Sequence, residues 1–202
     1  MYSLKSLASY ILHKYKGEVT PMKLQKLLYY VKVWTLVAGK KIIPSYQGFY
    51  AWKYGPVNPG IYHDYKHFKS DNIGETSTHS NLEKDDKELI DFILDSYGCY
   101  NAITLSKTTH TEDPWIKNKN MSGKITDDDI LKFYGKESFS NNFPLNSNKP
   151  YFPPKTISHY AYVFDMDEND KASEVYFDSI ESYLSIFDEA ENQASKFLNI
   201  LD

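Results

Sequence analysis

Two apolar stripes of helical period follow one another across a single break in residues 4–37, and no other stretch limits the fold as tightly. Leu4, Leu7, Ala8, Ile11, Leu12 and Tyr15 recur at the spacing of one helix face, and Gly17 stops them. Thr20 then offers an N-cap oxygen, and Pro21 stands at the first helical position, where its missing N–H costs nothing. Leu24, Leu27, Leu28, Val31, Trp34 and Val37 define a second helix that ends near Gly39. The pair is expected to pack antiparallel. On this reading Lys23, Gln25 and Lys26 face outward, and Lys14, Lys16 and Lys32 join a solvated lysine-rich face.

Beyond this pair the period changes. Ile42, Ile43, Tyr46, Phe49, Tyr50, Trp52 and Tyr54 fit no helical stripe, which predicts one or two short strands within residues 42–54. Gly55-Pro56 reads as a sharp turn, and Asn58-Pro59 repeats the cap-then-proline signal before a short helix that buries Ile61, Tyr62, Tyr65 and Phe68. Residues 69–81 are polar and turn-rich, the composition of a mobile loop. Leu89, Ile90, Ile93, Leu94 and Tyr97 mark another helix closed by Gly98. A short helix is expected over Ala102 to Thr109, with Pro114 forbidding its continuation. Thr126 and Asp129 approximate a capping box for a last core helix through Tyr134.

Residues 138–155 are rich in Pro, Asn and Ser, which is linker chemistry. Past them, alternation at Tyr160, Tyr162 and Phe164 predicts a strand, and Ile180 to Leu201 carry a long helical stripe. The expected fold is therefore mainly α (α+β): a compact bundle of about five to six helices, a short β element around residues 42–54, and a C-terminal strand and long helix. Three parts are expected: a core over 1–137, the linker 138–155 and an extension over 156–202.

Composition narrows function mainly by exclusion. A net charge of −4 and a pI near 5.9 argue against nucleic-acid binding. A single cysteine, Cys99, leaves no intramolecular disulfide and no Cys-rich zinc site. No apolar run is long enough to span a bilayer and no cleavable leader is evident, so the reading is cytosolic and without a membrane partner. Aromatic residues reach 16%, and Tyr in particular suits both wet cores and interfaces.

Chemistry-bearing motifs are sparse. His63 and His67 share a helical spacing but lack a third ligand, and Cys99 follows a helix C-terminus, which disfavours a thiolate. Asp127, Asp128 and Asp129 complement a helix dipole. His110, Glu112, Asp113 and Trp115 resemble parts of an acid/base site. The structural alternative has His110 bonding a backbone carbonyl while Pro114-Trp115 closes an apolar lid. No metal, cofactor or catalytic residue is assigned.

Three runs are more specific: TPMKLQKLLYYVKVW, FYAWKYGPVNPGIY and LSKTTHTEDPW. In order and spacing they closely resemble the signatures of the Panacea antitoxin domain (SocA-like, including phage-associated proteins), and the resemblance covers roughly residues 4–135. It implies an antitoxin that neutralises a cognate protein toxin, encoded beside it, by direct binding. A family member thought to deliver its toxin to a Clp-type protease makes a proteolytic adaptor the alternative, and an enzyme reversing the toxin's modification is another. The candidate toxin-binding residues are Lys23, Lys26, Tyr30, Trp52, Tyr54, Val57, His110 and Trp115. The toxin's identity and the chain's homo-oligomeric state stay open. Residues 138–202 extend past the family pattern, either as a partner-specific extension or as a helix that packs back on the core.

Overall fold

A computed structural model describes residues 1–74, 81–137 and 140. The expected C-terminal strand and long helix, and nearly all of the linker, lie outside the described residues. Those described are mainly helical with one small sheet.

The local signals act where the sequence places them, and Ser3 adds a cap to those read from it. Ser3 caps α1 (Leu4–Lys14), its hydroxyl accepting from the Ser6 N–H. Thr20 caps α2 (Pro21–Val37) with Pro21 in its first turn. Asn58 does the same for α3 (Pro59–Tyr65), which tightens into a 3-10 turn at Lys66–Phe68. Two helices follow, α4 (Lys84–Gly98) and α5 (Ala102–His110). Pro114 does forbid continuation of α5, yet it also starts the one-turn α6 (Asp113–Ile116), because proline fits a first turn as well as it breaks an interior. The Thr126–Asp129 capping box is complete in both directions and opens α7 (Asp127–Tyr134).

One antiparallel sheet has the order β2-β1-β3, formed by β1 (Phe49–Trp52), β2 (Gly55–Val57) and β3 (Lys124–Ile125). Trp52 pairs with Gly55, so Lys53 and Tyr54 make the turn. The expectation that Gly55-Pro56 is the turn is corrected by one step: both lie in β2. Pro56 is tolerated there because β2 is an edge strand, where a missing N–H breaks no ladder. The two-residue β3, which pairs Ile125 with Phe49, carries too little pattern to read from sequence.

The largest departure concerns α2. It is the central element, in contact with α1, α3, α4, α5, α7 and β2. Every residue from Leu24 to Thr35 is buried. Gln25, Lys26 and Lys32 therefore lie inside, not on an outer face, and Lys26 is 0% exposed. An apolar stripe shows which face enters a core, but it cannot show that other elements also cover the polar face. The interior supplies partners to the polar groups that α2 encloses, as burial requires. Lys32 bonds Asp127 at 2.8 Å, and Lys41 meets the same carboxylate at 3.2 Å. Burial opposes ionisation of Asp127, but the two lysines outweigh it and hold the carboxyl below its usual range.

α4 is stitched to α1 by polar contacts at its margin. Tyr10 donates to Asp91 (2.6 Å), Tyr15 donates to the Leu94 carbonyl (2.7 Å), and Lys14 lies 2.9 Å from Asp95. The start of the segment read as a mobile loop is fixed in place. Ile73 is buried, its N–H bonds the Val19 carbonyl at 3.0 Å, and that of Gly74 reaches Gly17.

Candidate functional site: an aromatic groove above interlocked motifs

The three sequence runs converge in space because their polar side chains bond one another. Gln25 on α2 accepts the Asn58 N–H at 2.8 Å and donates to the Asn58 carbonyl at 3.2 Å. The Asn58 side chain in turn donates to the Gly48 carbonyl and caps α3. Lys26 donates to the Pro56 carbonyl at 2.9 Å. Ser106 on α5 donates to the Tyr54 carbonyl at 2.9 Å, and the Trp115 indole donates to the Trp52 carbonyl at 2.9 Å. The hairpin β1-β2 is thus held from one side by α2 and from the other by α5 and α6.

Gly55 is the point of closest approach. Its φ is +96°, a left-handed conformation suited to glycine. A Cβ there would lie 2.5 Å from Thr109 Oγ1 and 2.8 Å from Lys26 Nζ. Glycine is required twice over, by backbone angle and by space.

Deeper in, Glu112 is 8% exposed and accepts hydrogen bonds from Tyr30 (2.9 Å) and Tyr134 (2.6 Å). The Tyr134 hydroxyl also reaches the Tyr29 hydroxyl at 3.3 Å. Tyr30 stacks on Tyr97 with ring centroids 3.9 Å apart, and the Trp34 indole donates to the Tyr97 hydroxyl. Burial pushes the Glu112 carboxyl up to about 7 despite the two tyrosine donors, which favour the charged form. Burial likewise raises Tyr29, Tyr30 and Tyr134 above the usual phenol range, and the nearby Glu112 charge adds to each.

Lys26 has the opposite shift for the same reason. Burial alone lowers its ammonium to about 7. It has a carbonyl for a partner and no carboxylate among the described residues. His110 stacks on Trp115 with centroids 4.0 Å apart and bonds the Lys53 backbone, the structural alternative expected for it. Its Nε2 is buried without a partner among the described residues. Burial first, then the Lys26 and Lys119 charges, lower the imidazole's pKa.

Above this framework lies a groove enclosing about 540 Å³. Its walls are Trp52, Tyr54, Val57 and Tyr62, its floor is the first turns of α2 including Lys26, and Lys53, Lys66 and Lys69 form its rim. Trp52 and Tyr62 meet edge to face at 5.1 Å, and Lys53 lies over the Tyr54 ring. Tyr54 is 61% exposed and Tyr62 44%. Of the residues singled out from sequence, Lys26, Trp52, Tyr54 and Val57 gather here. Tyr30 and Trp115 are buried in the framework beneath, where His110 also stacks. Lys23 stands apart, its ammonium donating to the Gly98 carbonyl at 2.7 Å.

Sequence reasoning missed Gln25, Asn58, Ser106 and Tyr134 as parts of the site, as well as Tyr62 and the rim lysines. One signal was available: α2 has four cationic or amide side chains and no carboxylate in 17 residues. A solvated helix face ordinarily mixes both signs.

No group of three or more His, Cys, Asp or Glu among the described residues could hold a metal ion. Nor is any described helix long and apolar enough to cross a membrane. Chemically, the framework can fix the hairpin and hold protons at Glu112 and Lys26, while the groove can take an apolar or aromatic group.

No curated protein and no solved structure matches the chain. Residues 24–116 match the family model described as Antitoxin SocA-like, Panacea domain. That span holds Gln25 and Lys26, the β1-β2 hairpin and the run from Ser106 to Trp115, so most of the groove and of the framework beneath it lies in the part of the chain that is similar to the SocA-like Panacea domain.

Proposed function

We propose that this chain is an antitoxin that neutralises a cognate protein toxin by binding it directly through the aromatic groove. The observation that carries this reading is the exposure of Tyr54 beside Trp52, on a hairpin bonded to α2, α5 and α6, with the exposed Tyr62 of α3 packed against Trp52. Large aromatic side chains left in water on a rigid support are what protein interfaces use as anchors. Fixing them beforehand lowers the entropy cost of binding. The ionisable groups of the third run favour binding over chemistry: Glu112 spends both oxygens on tyrosines, and His110 is stacked and bonded inside.

Co-expression of the full chain with the product of the adjacent reading frame tests the proposal. Growth should be restored, and the two proteins should co-purify in fixed stoichiometry. Toxin levels should be the same with and without the Clp protease. Rescue by trace amounts of the chain with no isolable complex would favour an enzyme that reverses damage. Toxin loss that depends on the protease would favour an adaptor.

A further inference from the structure

The groove's charge is one-sided. Among the described residues, Lys53, Lys66 and Lys69 on the rim join no ion pair and no Asp or Glu lines the groove. Elsewhere lysines find carboxylates: Lys14 with Asp91 and Asp95, Lys32 and Lys41 with Asp127, Lys40 with Asp86. Lys26 adds a fourth amine under the floor, enclosed and satisfied by a single carbonyl. An ammonium can donate three hydrogen bonds, and a cationic cleft with low-dielectric walls concentrates its field on whatever enters. The walls are Trp52, Tyr54 and Tyr62, whose flat faces take an aromatic or branched apolar side chain.

We infer that the groove recognises an acidic segment of the protein partner: an apolar or aromatic side chain seated against the wall formed by Trp52, Tyr54 and Tyr62, flanked by carboxylates that meet Lys53, Lys66 and Lys69. The assignment rests on the direct-binding reading above and adds to it the chemistry of the partner. Charge complementarity selects the occupant, since a neutral or basic apolar segment would fill the walls but leave the three rim amines unmet. It also sets the kinetics. Rim charges act mainly on the association rate and its salt dependence, and the aromatic anchors on dissociation.

Carbodiimide cross-linking of the full chain with the adjacent gene's product, read by mass spectrometry, tests the contact directly. Cross-links from Lys53, Lys66 or Lys69 to Asp or Glu of the partner are expected. Cross-links from these lysines to the chain's own carboxylate-rich residues 156–202, or to a second copy of the chain, would overturn the assignment. The double variant Lys66→Glu/Lys69→Glu should weaken the complex by at least ~10-fold at low salt. The control Lys107→Glu/Lys136→Glu, away from the groove, should leave it unchanged. A labelled peptide of Asp and Glu around one Phe should bind the chain in a salt-sensitive way and lose affinity in the rim variant, whereas its Asn/Gln counterpart should not bind. A complex that forms and ignores the rim reversal defeats this inference and leaves direct binding intact. Peptide binding with no partner complex defeats direct binding and leaves the groove's acidic preference standing. A single-stranded oligonucleotide that binds as well as the acidic peptide would overturn the protein-segment assignment.

Discussion

Replacing Lys26 by methionine gives the sharpest test of the buried framework, because its signature is a slope rather than a loss. The ammonium is 0% exposed, and its hydrogen bond goes to the Pro56 carbonyl. Burial holds its pKa near 7, below the ordinary 10.5 of lysine. A group whose folded-state pKa is depressed binds its proton less tightly when folded. The unfolded chain therefore holds the extra proton across the window between the two values, and stability rises with pH there. For Lys26 that window runs from about 7 to 10.5, and its contribution is lost as pH falls through it. The slope is about 1.4 kcal/mol per pH unit, so stability should rise by about 3 kcal/mol between pH 7.5 and 9.5. In Lys26→Met the amine is gone and this part of the slope goes with it. The Pro56 carbonyl also loses its donor, at a cost of roughly 1–3 kcal/mol that does not vary with pH. Urea unfolding of both proteins at several pH values measures the difference, and the comparison cancels titrations they share, such as that of Lys23. A variant that keeps the wild-type slope would refute the claim that the amine is enclosed without a counter-charge.

Glu112 gives the mirror image. Its carboxyl is raised from 4.5 to about 7, so its contribution is full below 4.5 and lost as pH rises through 7. Glu112→Gln should flatten stability over that interval and cost about 1–3 kcal/mol near pH 5 by unbalancing the Tyr30 and Tyr134 donors, measured by the same titration. Gly55→Ala forces a Cβ against Thr109 and Lys26 at a positive φ, and should destabilise by roughly 2 kcal/mol or more in thermal melts. Tyr54→Ala removes an exposed side chain, so unfolding should change by under about 0.5 kcal/mol, while partner affinity read by calorimetry should fall by about 2 kcal/mol.

Local order was legible because its causes are local. Thr20, Asn58 and Thr126 cap the helices that their neighbours in sequence announce, and an apolar period of 3.6 is a property of a dozen consecutive residues. The three motif runs likewise pointed to the family matched over residues 24–116. The site was only half legible. Trp52, Tyr54 and Val57 stand in one run and stay together in the groove, but Tyr62 and the rim lysines arrive on α3 and the turn after it. Lys26 and Gln25 were assigned to solvent because their own helix offers no reason to bury them.

That reason lies 30 or more residues away in the chain. Lys26 meets Pro56, Gln25 meets Asn58, and Tyr30 meets Glu112, pairs separated by 30, 33 and 82 positions. By itself the sequence determined the longer helices, the starts of those with a cap signal, and which apolar stripe each hides. Tertiary structure alone decided that α2 is enclosed from Leu24 to Thr35, that its polar residues bind the hairpin, and that Tyr54 and Tyr62 above them remain exposed to solvent. A helix can specify its own apolar face, but the environment of its polar face belongs to whatever packs there. Here that is a β-hairpin and a buried carboxyl from the far end of the domain.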